Sequence, residues 1–358
     1  MQFGPGFNCL TGPNGSGKTT VLDAVHYLCM CKGFVNAIDA QNIRSGQQQM
    51  AIWGDFARPD ASSELIHCAI RDGKKTLRHD KKEYQRLTDH IGRYTCVVIA
   101  PTDAELITGG SEERRRFMDS LLSQADRQYL DHLVQYGRAL QHRNTLLRHF
   151  ADTRTFSAEN LDVWDLQLVR HATYLHRARQ LLFDRLPELF GKYYAQLCGG
   201  AEQVSIVYES NLIGADFQAL LSDSRDRDRA ANSTTMGPHK DDAVITIHDG
   251  QPLRRIGSQG QQKTALVALR LAQCELMAER MGASPILLLD DVLDKLDPAR
   301  VEKLVQTVSQ QPFGQVFISH TDRGAMHRML AEWPDTVYFE VEIGAVVPAV
   351  ATTIPLPA

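Results

Sequence analysis

An α/β fold is predicted for this 358-residue chain, a mixed sheet with helices, interrupted by an inserted and mainly helical domain. Three observations predict it. Near the start, a short apolar stretch (Phe7, Cys9, Leu10) runs into a glycine-rich loop and then a helical run (Val21, Leu22, Ala24, Val25, Leu28). Near the other end, Pro285–Leu289 and Val316–Ser319 read as short buried parallel strands, separated by one helix over roughly residues 299 to 310. Between these ends, residues from about Asp103 to Ser222 read as helices of ordinary length, in the runs Glu112–Phe150 and Leu161–Leu197, the second interrupted at Pro187. Phe117, Leu121, Leu133, Leu140 and Leu147 mark an amphipathic face there, but no heptad is sustained long enough for a stalk.

Composition narrows the function classes. Hydrophobic content of 43% and charged content of 23% are those of a globular protein. A net charge of −4 gives no global basic field, so any nucleic-acid binding must use a local patch. The seven cysteines are odd in number, scattered and without a CxxC pair, which suggests neither a zinc knuckle nor a disulfide framework and fits a reducing cytoplasm. No signal peptide is evident, and no apolar run approaches the ~18 residues of a membrane span.

Taken in order, the first element with chemistry is Gly12-Pro-Asn-Gly-Ser-Gly-Lys18-Thr19, which matches G-x-x-x-x-G-K-[ST] between a strand and a helix. Such a loop cradles phosphates with backbone N–H groups, so a nucleoside triphosphate, ATP, is expected on Gly12, Asn14, Gly15, Ser16, Gly17, Lys18, Thr19 and Thr20. Lys18 reaches the terminal phosphates, and the Thr19 hydroxyl faces Mg²⁺. The strand Ile286–Leu289 closes in two carboxylates at the tip where such folds bind ligands; Asp290 is assigned to Mg²⁺ and Asp291 to polarising the attacking water. The Val316–Ser319 strand ends in His320, and Lys18, Asp291 and His320 form the catalytic set.

Ahead of the helix that contains Leu266, Val267, Leu269 and Leu271 lies Ser258 followed by Gln261, the spacing of a capping box. Gly257 and Gly260 keep that helix end bare, as an anion site would require, although the stretch alone fits a plain capped helix equally well. Asp294-Lys-Leu-Asp297-Pro298 follows the acid strand, with Pro298 suited to opening a helix.

The order P-loop, Ser258-x-Gly260-Gln261 before a helix, a strand ending in acids and a strand ending in histidine resembles that of ABC-type ATPases. In that class the signature helix caps the γ-phosphate held by a second subunit, so Ser258, Gly260 and Gln261, together with Asp297, join the cofactor-binding set, and two ATPs are sandwiched in a homodimer. The signature lies 240 residues after Lys18, with neither a transporter's shorter insert nor a long stalk between them. The expected division is an ATPase head over residues 1–102 and 236–358 with a helical arm over 103–235.

At finer grain the chain resembles the RecF family of bacterial recombination and repair ATPases. The resemblance covers nearly the whole chain and rests on the P-loop, "VVIAPTDAELITGGSEERRRFMD" (Val97–Asp119), "MGPHKDD" (Met236–Asp242), "GSQGQQK" (Gly257–Lys263) and "ILLLDDVLDKLD" (Ile286–Asp297). It implies ATP-dependent dimerisation, binding to duplex DNA next to single-stranded gaps, slow hydrolysis that times release, and work with RecR and indirectly RecO to help load RecA. Two departures stand out. Family chains carry a further strand-forming segment with an N-F-R-N-like stretch before the P-loop strand, so a head-sheet edge and some nucleotide contacts are expected to be missing here. Ala100-Pro101-Thr102-Asp103 stands where a transporter has its loop glutamine, and no glutamine is assigned to positioning water.

DNA contact is less well located. Between Arg71 and Arg93 there are eight Lys or Arg against four Asp or Glu, which fits a solvated hairpin and a phosphate-tracking patch equally; Arg114–Arg116 is a second candidate. No aromatic interleaving suggests base stacking, so sequence-neutral backbone binding is expected. His239, Asp241 and Asp242 are metal ligands by type, but Gly237-Pro238 reads as a turn into the strand Ala243–Ile247, followed by an Asp249-Gly250 turn, and the segment is assigned to positioning. The alternative is an SMC-like, chromosome-organising ATPase head, which the missing heptads disfavour; a P-loop kinase leaves Ser258, Gly260 and Gln261 without a task.

Overall fold

Continuous apolar runs build the central sheet. Phe7–Thr11, Cys96–Ile99, Ile286–Leu289 and Val316–His320 are short and buried nearly throughout, as strands covered on both faces must be. The computed structural model describes residues 1–57, 62–200, 202–248, 250–293, 296–310 and 313–348. The six-stranded sheet runs Ala345–Pro348, Val337–Glu342, Phe7–Thr11, Val316–His320, Ile286–Leu289, Cys96–Ile99. Five strands are parallel and the Ala345–Pro348 edge runs antiparallel to its neighbour, so the sheet is mixed. Thr11 lies beside His320 and Leu289 beside Ile318, so the P-loop, the acid pair and the histidine all leave the carboxyl ends of adjacent strands.

A second, four-stranded antiparallel sheet (Gln49–Ala57, Ser63–Arg71, Lys74–His79, Lys82–Glu83) covers the helix that follows the P-loop, Lys18–Met30. Its inner face, including Ile52, Ile66, Cys68, Ile70 and Leu77, packs on Tyr27, Leu28 and Cys31.

Two compact units result: Met1–Asp103 with the described residues from Gln273 onward, and Ala104–Ala272. The expected boundary at 235/236 is not where the units divide; the division falls inside the Gln259–Met281 helix. The reason is strand pairing. Val204–Glu209 pairs antiparallel with Asp242–Ile247, and that strand with Gln251–Pro252, which ties residues beyond 236 to the second unit. Asp249 of the expected turn lies outside the described residues.

The second unit is mainly helical. The run expected from Glu112 to Phe150 is two helices, Ser111–Ala125 and Arg127–Thr153, broken at Asp126, whose carboxylate caps the second by accepting from the N–H groups of Gln128 and Tyr129. Ala158–Phe183 and Leu186–Cys198 follow, with Pro187 tolerated in the first turn of the latter. Charge is buried at the centre of this unit. Arg143 is fully buried and donates to Asp165 and Asp228 at 2.6 Å each, and to the Thr234 hydroxyl. Arg179 donates to Asp241, Asp119 and the Pro238 carbonyl. Arg143→Met removes the buried guanidinium shared by Asp165 and Asp228, leaving Asp228 with neutral donors only from Thr235 and Ser224, and is expected to destabilise this unit by about 3–5 kcal/mol in denaturant titration; a loss below about 1 kcal/mol would show that the pairs are not integral to it.

Candidate active site

The strand–loop–helix unit at the start forms because Gly12 leaves the Phe7–Thr11 strand at a φ of 153°, where a Cβ would stand 2.3 Å from the Val341 carbonyl oxygen. Gly17 precedes the Lys18–Met30 helix without a side-chain cap, so its first N–H groups are left to another acceptor. Lys18 is buried, and its ammonium donates to the Gly12 and Pro13 carbonyls at 2.9 and 3.0 Å. The Ser16 hydroxyl is buried with no hydrogen-bond partner among the described residues. Asn14, Gly15 and Thr20 are exposed.

The acid strand meets this loop. Thr19 Oγ1 lies 3.0 Å from both carboxylate oxygens of Asp290. Asp290 is buried, which lifts its carboxyl above the usual range; hydrogen bonds from Ser319 and Thr19 and the Lys18 charge oppose this, while Asp291 adds to it. Asp291 sits at a φ of 47°, a left-handed conformation that costs a non-glycine residue of order 1–3 kcal/mol. Its N–H donates to Ser319 Oγ at 2.9 Å, and Ser319 in turn donates to Asp290 Oδ1 at 2.8 Å. Ser319 lies in the predicted strand but has no role in the motifs above; its place one residue before His320 at the strand end is the signal that could have found it. His320 Nδ1 lies 2.8 Å from the Asp322 N–H and 3.1 Å from the Asp322 carbonyl oxygen, so the ring is anchored to its own loop. The ring also borders a cavity of about 430 Å³ that Val301, Val305 and Trp333 help to line. Asp297 caps the Pro298–Val308 helix, accepting from the Arg300 N–H, with Pro298 in the first turn. Asp294 and Lys295 lie outside the described residues.

Ser258, Gly260 and Gln261 belong to the second unit, not to the one holding the P-loop. The capping box is formed: Gln261 N–H donates to Ser258 Oγ at 3.2 Å, and Ser258 N–H donates to Gln261 Oε1 at 2.7 Å. Gln261 Nε2 is held by Glu202. Gly257 closes the preceding short helix Leu253–Ile256, where a Cβ would come within 2.7 Å of the Leu253 carbonyl oxygen. Ser258 is exposed, beside the exposed Arg254 and Arg255.

Residues 1–341 match the family model for the RecF/RecN/SMC N-terminal domain. Proteins named DNA replication and repair protein RecF align over nearly the whole chain. That of Parabacteroides distasonis is 42% identical, covering 97% of this chain and 94% of its own, and that of Flavobacterium johnsoniae is 41% identical, covering 90% and 89%. The chain belongs to the RecF family. A solved structure titled as the recombination mediator protein RecF-ATP in the RecFOR pathway superposes with a TM-score of 0.86 at 26% identity, over 98% of this chain and 93% of its own. An SMC head domain with an extended coiled coil from Pyrococcus furiosus gives 0.56 at 15% identity, a likeness of fold. The longest described helix here has 27 residues, so the RecF comparison is the nearer one and the SMC-like alternative the less supported.

Within the chain the basic segments have separate fates. Arg114 is buried and grips Asp242 through Nε and Nη2 at 2.6 and 2.9 Å, Arg115 donates to the Asp241 carbonyl, and Arg116 pairs with Glu112 and Glu113. Arg114 and Arg115 are therefore committed to the fold, whereas Arg116 stays exposed with its two surface glutamates. His239 is also structural: its Nδ1 meets Tyr136 Oη at 2.6 Å, its Nε2 meets the Thr234 carbonyl, and burial pushes it down to about 4. In the 71–93 segment Lys75 is committed to Asp39 and to the Cys31 carbonyl, and Arg93 to Glu64. Arg71, Lys74, Lys81 and Lys82 are exposed and hold no ion pair among the described residues.

Proposed function

We propose that this protein is an ATP-dependent DNA-binding ATPase of recombinational repair and replication, which dimerises on ATP at duplex/single-strand junctions and works with RecR, and indirectly RecO, to promote RecA loading. The observation that carries the reading is the Thr19 hydroxyl held 3.0 Å from Asp290 at the carboxyl edge of the sheet, beside a P-loop whose helix start is uncapped. The residues present fit both groups. A buried Ser16 hydroxyl, without a partner among the described residues, and bare N–H groups suit phosphate oxygens, and one hydroxyl with one buried carboxylate suits Mg²⁺, which keeps waters and phosphate oxygens as its other ligands.

In this reading Lys18 and the backbone of residues 12–20 hold the triphosphate, and Thr19 and Asp290 hold the metal. When bound, Mg²⁺ neutralises charge on the phosphate oxygens. Asp291 orients the attacking water through its carboxylate, while Ser319 fixes the two acids relative to each other. His320 joins the catalytic set at the same edge of the sheet. Ser258 and Gly260, at a helix end closed by the Gln261 capping box, bind the γ-phosphate of a second subunit, with Asp297 near the shared nucleotide. Hydrolysis is slow and times release. The cytoplasm is the expected compartment; among the described residues no helix is long and apolar enough to cross a membrane.

Sizing the protein with and without ATP and Mg²⁺ tests the reading. A dimer only with nucleotide is expected; an ATP-indifferent monomer would favour a kinase-like P-loop protein. For the DNA surface, Lys74→Glu, Lys81→Glu and Lys82→Glu together are expected to lower affinity about equally for unrelated sequences. The slope of log affinity against log salt should flatten by about 0.9 for each phosphate that is no longer neutralised. An unchanged slope moves the surface elsewhere.

A further inference from the structure

The outer face of the four-stranded sheet carries an aromatic feature that the sequence pattern hid. Strand pairing sets Trp53 opposite His67, His67 opposite Arg78, and Arg78 opposite Glu83, so the four share one face. Trp53 is 61% exposed, against the burial usual for so large an apolar ring. Its indole stacks on the His67 imidazole, with ring centroids 4.9 Å apart and planes 8° from parallel. The His67 Nε2 is buried without a hydrogen-bond partner among the described residues. Four residues along the strands, the same face presents Arg71 opposite Lys74, both exposed.

We infer that this face is a stacking platform for unpaired bases of single-stranded DNA, with Trp53 as the base-contacting ring and Arg71, Lys74 and Arg78 on the flanking phosphates. The inference deepens the DNA-binding reading above and rests on it: it assigns the single-stranded side of the junction to this sheet. Three physical features favour this occupant. An indole already backed by a second ring is held flat, so a base can stack on it without ordering the side chain first. Arg71, Lys74 and Arg78 offer cations to a phosphate backbone; among the described residues Asp55 on Trp53's own strand, Glu83, 3.5 Å from Arg78, and the exposed Asp72 in the turn between Arg71 and Lys74 are the acids beside them. Burial, with Arg78 and Arg71 nearby, also pushes the His67 imidazole below its ordinary value, so the backing ring stays uncharged at neutral pH. A protein partner would also find an exposed tryptophan here, but the cationic side chains around it suit nucleic acid better.

The test compares full-length wild type, Trp53→Ala and Trp53→Phe, with ATP and Mg²⁺, on a duplex carrying a poly-dT gap and on the same duplex with the gap filled. The expected result is that Trp53→Ala loses about 10-fold in affinity for the gapped DNA, within the range of one base stack. Its affinity for the filled duplex should stay unchanged, and Trp53→Phe should retain most of the gap preference. Equal binding of gapped DNA by wild type and Trp53→Ala overturns the inference while the DNA-binding reading stands. Equal losses on both DNAs overturn it as well, since the face is then a general DNA surface or a fold element. If wild type binds neither DNA, the functional reading fails and the platform fails with it.

Discussion

Lys18→Met is expected to weaken ATP binding by about 100-fold or more, because it removes the one ammonium buried in the P-loop. A point charge on the terminal phosphates disappears, and methionine cannot replace it. The protein should still fold, since Lys18 bonds only the Gly12 and Pro13 carbonyls among the described hydrogen bonds of its side chain, and both belong to the same loop. ATP-stimulated DNA binding should fall with nucleotide affinity. Equilibrium titration with a fluorescent ATP analogue reads the first effect, and gel or anisotropy assays with and without ATP read the second. DNA binding that ATP still stimulates in this variant would show that Lys18 is not the phosphate lysine.

Ser258→Arg is the second large effect. The serine is exposed at a helix start, so arginine meets no packing barrier within its own subunit. It loses the oxygen that accepts the Gln261 N–H, a local cost of about 1 kcal/mol. ATP binding should stay near wild type, because the P-loop belongs to the other compact unit. Dimerisation should be lost and hydrolysis should drop by at least about 100-fold, the scale of removing one fixed donor from a developing charge. Light scattering with ATP and a steady-state phosphate-release assay measure the two outcomes.

Much of the fold was legible because its strands are buried on both faces. Phe7–Thr11, Ile286–Leu289 and Val316–His320 advertise themselves as apolar runs, and the chemistry sits in the residues that follow them. The capping box was legible because Ser258 and Gln261 are three residues apart. What depends on distant partners was not. Nothing near Lys75 says that Asp39 and the Cys31 carbonyl will claim it, and nothing near Arg114 names Asp242, more than a hundred residues away. That the second unit extends past residue 236 follows from strand pairing between Val204–Glu209 and Asp242–Ile247, which local periodicity does not reveal. The break at Asp126 was hidden by helix-compatible residues on both sides, although an aspartate ahead of a helical run is a recognisable cap. Trp53 gave no sign of a stacking face, because its partner His67 comes from the next strand.

The central claim is that Ser258 completes the nucleotide site of another subunit. It is tested most directly by mixing Ser258→Arg protein with Lys18→Met protein and measuring ATP hydrolysis. Each alone should be nearly silent. In the mixed dimer one composite site joins the intact P-loop of the Ser258 variant to the intact signature of the Lys18 variant, while the other joins both defects. Partial recovery of hydrolysis on mixing is the expected result. Normal hydrolysis by Ser258→Arg alone would contradict the claim and leave Ser258 and Gln261 as no more than a helix cap.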